Sequence, residues 1–171
     1  MKSEELKSIQ APLKENYRSN PKAAFIKLSA EGKLGEGVTC NIKTGRALID
    51  AGLHPATGGT GFNICSGDML LEALVACAGV TMKAVATSLG IDIKEGIVKA
   101  EGDLDFRGTL GVSKDTPVGF QNIRLNFVLN TTASEELLNT LIKLTERYCV
   151  VYQTLAHSPK IEFSRTVHQS E

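Results

Sequence analysis

The stretch Cys65-Ser66-Gly67-Asp68-Met69-Leu70-Leu71-Glu72-Ala73-Leu74-Val75-Ala76-Cys77-Ala78-Gly79-Val80-Thr81-Met82, continuing through Leu89 to Gly90, decides the fold. It contains no proline and is dominated by leucine, alanine, methionine and valine, so it reads as one long helix. Its apolar residues fall on every side of the helical projection, the pattern of a helix covered all round. Ser66 is placed to cap the free amides of the first turn, and Asp68 complements the positive end of the dipole. Gly90 supplies the left-handed residue that stops a helix. Twenty-four residues at about 1.5 Å each reach about 36 Å, enough to cross a small domain. Asp68, Glu72 and Lys83 argue against a membrane span. One thiol, Cys77, sits in the middle among the small residues Ala73, Ala76, Ala78 and Gly79.

Around this helix the chain alternates in a way that favours antiparallel sheet. On its N-terminal side, Ala23–Leu28, Val38–Lys43 and Arg46–Asp50 are short strands. They are separated by glycine-bearing turns, Glu31–Gly37 and Thr44-Gly45, that are too short for parallel crossovers. Residues 54–62 form a glycine-containing loop, but the lysine and hydroxyl residue of a phosphate-binding loop are missing, so it reads as a lead into the helix. Beyond Gly90, Ile93–Phe106 and Asn122–Asn130 are half-buried strands separated by a polar loop, Arg107–Phe120. Thr132 and Glu135 make a capping-box signature, and Leu137, Leu138, Leu141, Ile142 and Leu144 a helical stripe that ends near Tyr148. A further helical turn at Val150–Leu155 and a last strand, Lys160–Val167, complete an α+β pattern.

Residues 1–21 are expected to form an N-terminal helical arm, with Leu6, Ile9, Leu13 and Tyr17 on one face, and 22–171 a single domain. One chain's sheet covers only one side of the central helix, so the other side is expected against the same helix of a second copy. The fold class is therefore α+β, antiparallel sheets packed around a long buried helix, as a two-fold homodimer. Lysine plus arginine equal aspartate plus glutamate at 19 each, which implies neither a nucleic-acid nor a membrane partner. No signal pattern opens the chain, so a cytoplasmic setting is expected, where Cys40, Cys65, Cys77 and Cys149 are free or catalytic rather than a structural framework. No Cys-x-x-Cys pair or histidine spacing suggests a metal.

A reactive thiol needs a cationic or dipolar neighbour, and alone Cys77 reads as a small core residue. Ser66–Thr81, joined some seventy residues later to Glu146-Arg147-Tyr148-Cys149-Val150-Val151-Tyr152-Gln153-Thr154-Leu155, resembles the OsmC/Ohr superfamily of osmotically induced and organic-hydroperoxide-resistance thiol proteins. The resemblance extends in element order over about residues 23–167. It implies that Cys77 is the peroxidatic thiolate and Cys149 its resolving partner. It also implies an intertwined homodimer with the site at the subunit interface, a small organic hydroperoxide as substrate, a dithiol or lipoylated protein as reductant, and no cofactor. Family hydroperoxidases place an arginine in the turn after the first strand. Here that turn carries Lys33, and Arg46 stands one hairpin further on. The family's acid near the start of the helix is matched by Asp68, and its proline after the second cysteine is replaced by Val150. The rival expectation is a non-enzymatic dimeric module that binds a small apolar or thiol-reactive ligand between subunits.

Overall fold

A computed structural model describes residues 2–5, 7, 8, 10, 11, 19, 32–34, 39–44, 47–111 and 113–167; for residues before 49 in the strands it gives the backbone course alone. Residues 3–5, 7, 8, 10 and 11 are helical, within the expected arm; the expected strand Ala23–Leu28 lies outside the described residues.

Three strands follow, β1 (Gly32–Leu34), β2 (Thr39–Thr44) and β3 (Ala47–Gly52), in antiparallel register. β1 occupies residues expected to be turn, and it pairs with β2 with Leu34 opposite Cys40. A two-residue strand, β4 (Ile64–Cys65), adds to β3 in parallel and leads directly into the long helix α1 (Ser66–Leu89). Between β3 and β4 the glycine loop is an ordered turn rather than a cradle. His54 Nδ1 accepts the Ala56 N–H at 3.0 Å and caps a 3₁₀ turn at Pro55–Thr57. Gly59 passes so close to Leu53 that a Cβ there would lie 1.7 Å from its carbonyl oxygen.

α1 matches its expected span, and Gly90 closes it in the left-handed region at φ 70°. Its cap differs from expectation: Cys65 is the N-cap residue and gives no side-chain bond, while Ser66 is already helical. After α1 come β5 (Ile93–Asp103), a one-turn helix α2 (Phe106–Thr109) and β6 (Asn122–Thr131). β5 and β6 form a separate antiparallel ribbon. The expected first strand of that pair ran to Phe106, but Asp105 stops it by accepting the Arg107 N–H as the cap of α2. Next are α3 (Glu135–Tyr148) and α4 (Val150–Ala156). Ser134, not Thr132, caps α3 through the Leu137 N–H, because Thr131 is still paired with Ile93 of β5 and its hydroxyl donates to the Asp92 carbonyl just before that strand.

Two clusters form the core, and α1 contributes to both along a single stripe. Met82 and Ala86 pack with Ile91 and Leu141; Leu74 and Ala78 pack with Cys149. This four-residue repeat is the helical periodicity of one buried face. The opposite face, with Ala73, Ala76 and Val80, is exposed, Val80 to 74%. Among the described residues, then, the buried positions of α1 lie on one side only. The expected last strand is not formed: residues 160–167 are assigned to no strand and pair with none of the described strands, and Phe163 is 96% exposed. Its alternation of Ile161, Phe163 and Val167 is a strand pattern, but pairing also needs an adjacent free edge.

Leu141 is fully buried between α1 and α3. Leu141→Ala should lower the unfolding free energy by about 2–5 kcal/mol, read as a lower urea midpoint with an unchanged slope.

Candidate active site

Cys77 lies midway along α1, and Cys149 is the single residue between α3 and α4. The second helix therefore begins at the point where the two cysteines meet. Cys149 has extended backbone, φ −74° and ψ 107°, which ends one helix and starts the next. The break follows from packing: Thr145 and Leu141 point into the core along α3, and the turn at Cys149 brings Val151, Tyr152 and Leu155 of α4 onto the same cluster as Leu74 and Ala78. Cys149 is 1% exposed at the centre of that cluster, and half-buried Cys77 packs against it.

The surroundings treat the two thiols oppositely. Burial, the largest influence on Cys77, pushes its thiol up. The Val151 amide, the Cys149 thiol, the Val150 amide and the Thr81 hydroxyl pull it down and together prevail, so Cys77 titrates below its ordinary range. For Cys149 burial dominates and raises the thiol. The Tyr152 and Val151 amides oppose this, but the neighbouring Cys77 adds to the rise. Of the two thiols Cys77 is therefore the more acidic, and the proton is held more firmly on Cys149.

The donors are those of a helix start. The first amides of α4 have no acceptor within the helix and point toward the sulfur. Thr81 follows Cys77 by one turn on α1. Where Thr87, Thr140 and Thr145 donate to the carbonyl four residues back, at 2.8, 3.0 and 2.8 Å, Thr81 has its hydroxyl toward Cys77. Neither group was singled out from the sequence. Thr81 could have been found, since an i, i+4 pair shares a helix face. The α4 amides could not, because their direction depends on the bend at Cys149.

The remaining candidates lie elsewhere or outside the described residues. Asp68 is exposed in the first turn of α1 and lines a separate cavity of about 220 Å³ with His54 and Cys65. Lys33 is placed only as backbone in β1, opposite Asn41, and Arg46 lies outside the described residues. Glu72 is exposed on α1. No group of three or more histidine, cysteine or acidic side chains suited to a metal ion occurs among the described residues.

An apolar cavity of about 440 Å³ adjoins the cluster. Its walls include Leu74 and Ala78 of α1, Ile123, Leu125 and Phe127 of β6, and Cys149.

The fold has clear relatives. An OsmC-like protein from Mycoplasma pneumoniae superposes with a TM-score of 0.65 at 20% identity, covering 78% of this chain and 89% of that one. The organic hydroperoxide resistance protein OhrB of Bacillus subtilis gives 0.52 at 18% identity, covering 78% and 93%. An organic hydroperoxide resistance protein OsmC from Legionella pneumophila gives 0.55 at 15%, covering 78% and 91%. At these identities the likeness is one of fold. No curated protein sequence matches the chain. The family model for OsmC-like proteins, however, matches residues 58–164, which include both cysteines, the long helix and the β5–β6 ribbon. The chain belongs to the OsmC-like protein family.

Proposed function

We propose that this protein is a thiol peroxidase that reduces organic hydroperoxides through Cys77, with Cys149 as the resolving thiol. The observation that carries this reading is the contact of the two cysteines in one buried cluster with opposite displacements of their thiols. A nucleophile must be thiolate, and its resolving partner must wait as thiol nearby.

The steps balance with the groups present. The Cys77 thiolate attacks the outer oxygen of the hydroperoxide, the O–O bond breaks, and the alcohol leaves after taking up a proton. The Cys77 sulfenic acid then accepts attack by Cys149, which forms the S–S bond and releases water once protonated. A dithiol, free or carried on a lipoylated protein, supplies the two electrons that restore both thiols. The apolar surroundings of the pair favour an alkyl substituent over hydrogen peroxide, since burying it contributes about 25 cal/mol per Å².

The unit proposed to act is a homodimer. The face of α1 with Ala73, Ala76 and Val80 passes beside Cys77, is apolar and is exposed. A second copy seated on it would enclose the thiolate and could bring up charged groups such as Asp68, Lys33 or Arg46. Donation by the α4 amides supports thiolate formation at Cys77.

With one equivalent of cumene hydroperoxide, the reduced protein should lose two protons in mass as the Cys77–Cys149 disulfide forms. Cys77→Ser should abolish peroxide consumption, and Cys149→Ser should stop after a gain of one oxygen. Full activity in Cys77→Ser would overturn the assignment. A second test addresses the helix start. Proline is tolerated at the first position of a helix and removes only the Val150 N–H. Val150→Pro should therefore fold normally yet oxidise several-fold more slowly at pH 7. Losing a donor to the thiolate raises the Cys77 pKa, so the rising limb of its pH–rate profile should move to higher pH.

A further inference from the structure

The two sulfurs that meet in the site are reached from different sides. Cys77 packs onto Cys149 from α1, beside the exposed residues Ala73, Ala76 and Val80, and does not line the apolar cavity next to the cluster. Cys149 has 1% of its surface exposed, yet it forms part of the wall of that cavity of about 440 Å³. The cavity runs between the inner face of β6 and the α3–α4 pair. Leu74, Ala78, Ile123, Leu125, Phe127 and Leu155 make it apolar. Of its exposed lining residues, Gln121, Asn122 and Glu146 are polar and form a rim whose one formal charge is the Glu146 carboxylate. This volume falls in the range of small-molecule sites, and a rim with one carboxylate favours neutral or cationic headgroups over anions.

We propose that the cavity is the entry site of the reducing thiol, a molecule with a neutral aliphatic body, and that it opens the disulfide by attacking Cys149 rather than Cys77. This rests on the Cys77–Cys149 disulfide of the peroxidase reading and adds which sulfur is attacked, from which side, and by what chemistry. In the first exchange the incoming thiolate bonds to Cys149 Sγ, the Cys77–Cys149 S–S bond breaks, and its electron pair leaves on Cys77 as thiolate. A second thiol, on the same molecule or another, then attacks the mixed disulfide at the reductant's sulfur. It releases Cys149, which takes a proton, and leaves the reductant as a disulfide. Two thiols are oxidised and one protein disulfide is reduced.

The chemistry of the pair agrees with the geometry. Exchange is faster when the departing sulfur is the more acidic thiol, and the amides of Val150 and Val151 with the Thr81 hydroxyl stabilise a departing Cys77 thiolate. Besides Cys77 from α1, the titratable side chains lining the space around Cys149 are Glu146 from α3 and Tyr152 from α4; β6 contributes none. The reductant would therefore approach Cys149 from the side of β6 and the α3–α4 pair, away from the contact with Cys77.

The test uses the full-length protein oxidised with diamide, so that it does not depend on peroxide turnover. The oxidised protein is treated briefly with 6-mercaptohexanol, a neutral aliphatic thiol, then quenched with iodoacetamide and mapped by mass spectrometry. The expected product carries mercaptohexanol on Cys149 and carbamidomethyl on Cys77; adducts mainly on Cys77 would overturn the proposal. Leu125→Trp, which fills the cavity, should slow reduction by mercaptohexanol at least about tenfold. Wild-type reduction should be faster with mercaptohexanol than with the anionic glutathione, and Glu146→Gln should narrow that preference. Equal rates in Leu125→Trp and wild type, with the variant's folding verified by its melting curve, would also overturn it. If neither diamide nor cumene hydroperoxide forms a Cys77–Cys149 disulfide, the peroxidase reading fails as well. A disulfide that forms but opens at Cys77 removes this inference alone.

Discussion

The packing of Cys149 onto Leu74 and Ala78 is the contact on which the site depends. It joins the break between α3 and α4 to the middle of α1, and that single junction does three things. It buries one thiol, sets the other beside it, and points the first amides of α4 at the second sulfur. In the function proposed, the Cys77 thiolate is stabilised by dipoles fixed in the backbone. Such donors need no reorganisation when charge develops, and they do not compete with solvent for their own orientation. Loss of the junction would separate the thiols and redirect the amides together, so structure and reactivity share one contact.

The extent and type of the long helix were legible because many residues agree: no proline for two dozen positions, strong helix formers throughout, and a glycine at the far end. The β6 alternation was equally plain, since Ile123, Leu125, Phe127 and Leu129 mark one face at period two. Local rules misled where two hydroxyl residues compete for a cap. Thr132 satisfied the capping-box spacing, but Thr131 is tied to Asp92 and the helix starts two residues later than that spacing implied, at Ser134. Ser66 failed as a cap because the β3–β4 pairing holds Cys65 extended at the boundary. The terminal strand could not be settled locally. Ile161, Phe163 and Val167 carry the right period, but whether they pair depends on an edge that the segment itself does not specify.

For the site, the cysteine pair was readable only as a joint motif. Neither residue's own neighbours marked it as reactive, because the groups that shift Cys77 come from a helix seventy residues away and from one turn along its own helix. The uncovered face of α1 has the same origin. Apolar residues all round the projection led to the expectation of cover on every side, whereas among the described residues the helix has a single buried stripe. The shortfall lies beside Cys77, which is why assembly and catalysis are bound together in the function proposed. Sequence could show that cover was needed, not which surface would supply it.

The most direct measurement is the ultraviolet thiolate absorbance of the reduced protein as a function of pH, compared with Cys77→Ser and Cys149→Ala. The account predicts a thiolate step below the ordinary cysteine range that disappears in Cys77→Ser. In Cys149→Ala the step should persist, moved by the loss of the neighbouring S–H donor. A titration with no step below that range, or one that Cys77→Ser leaves in place, would contradict it.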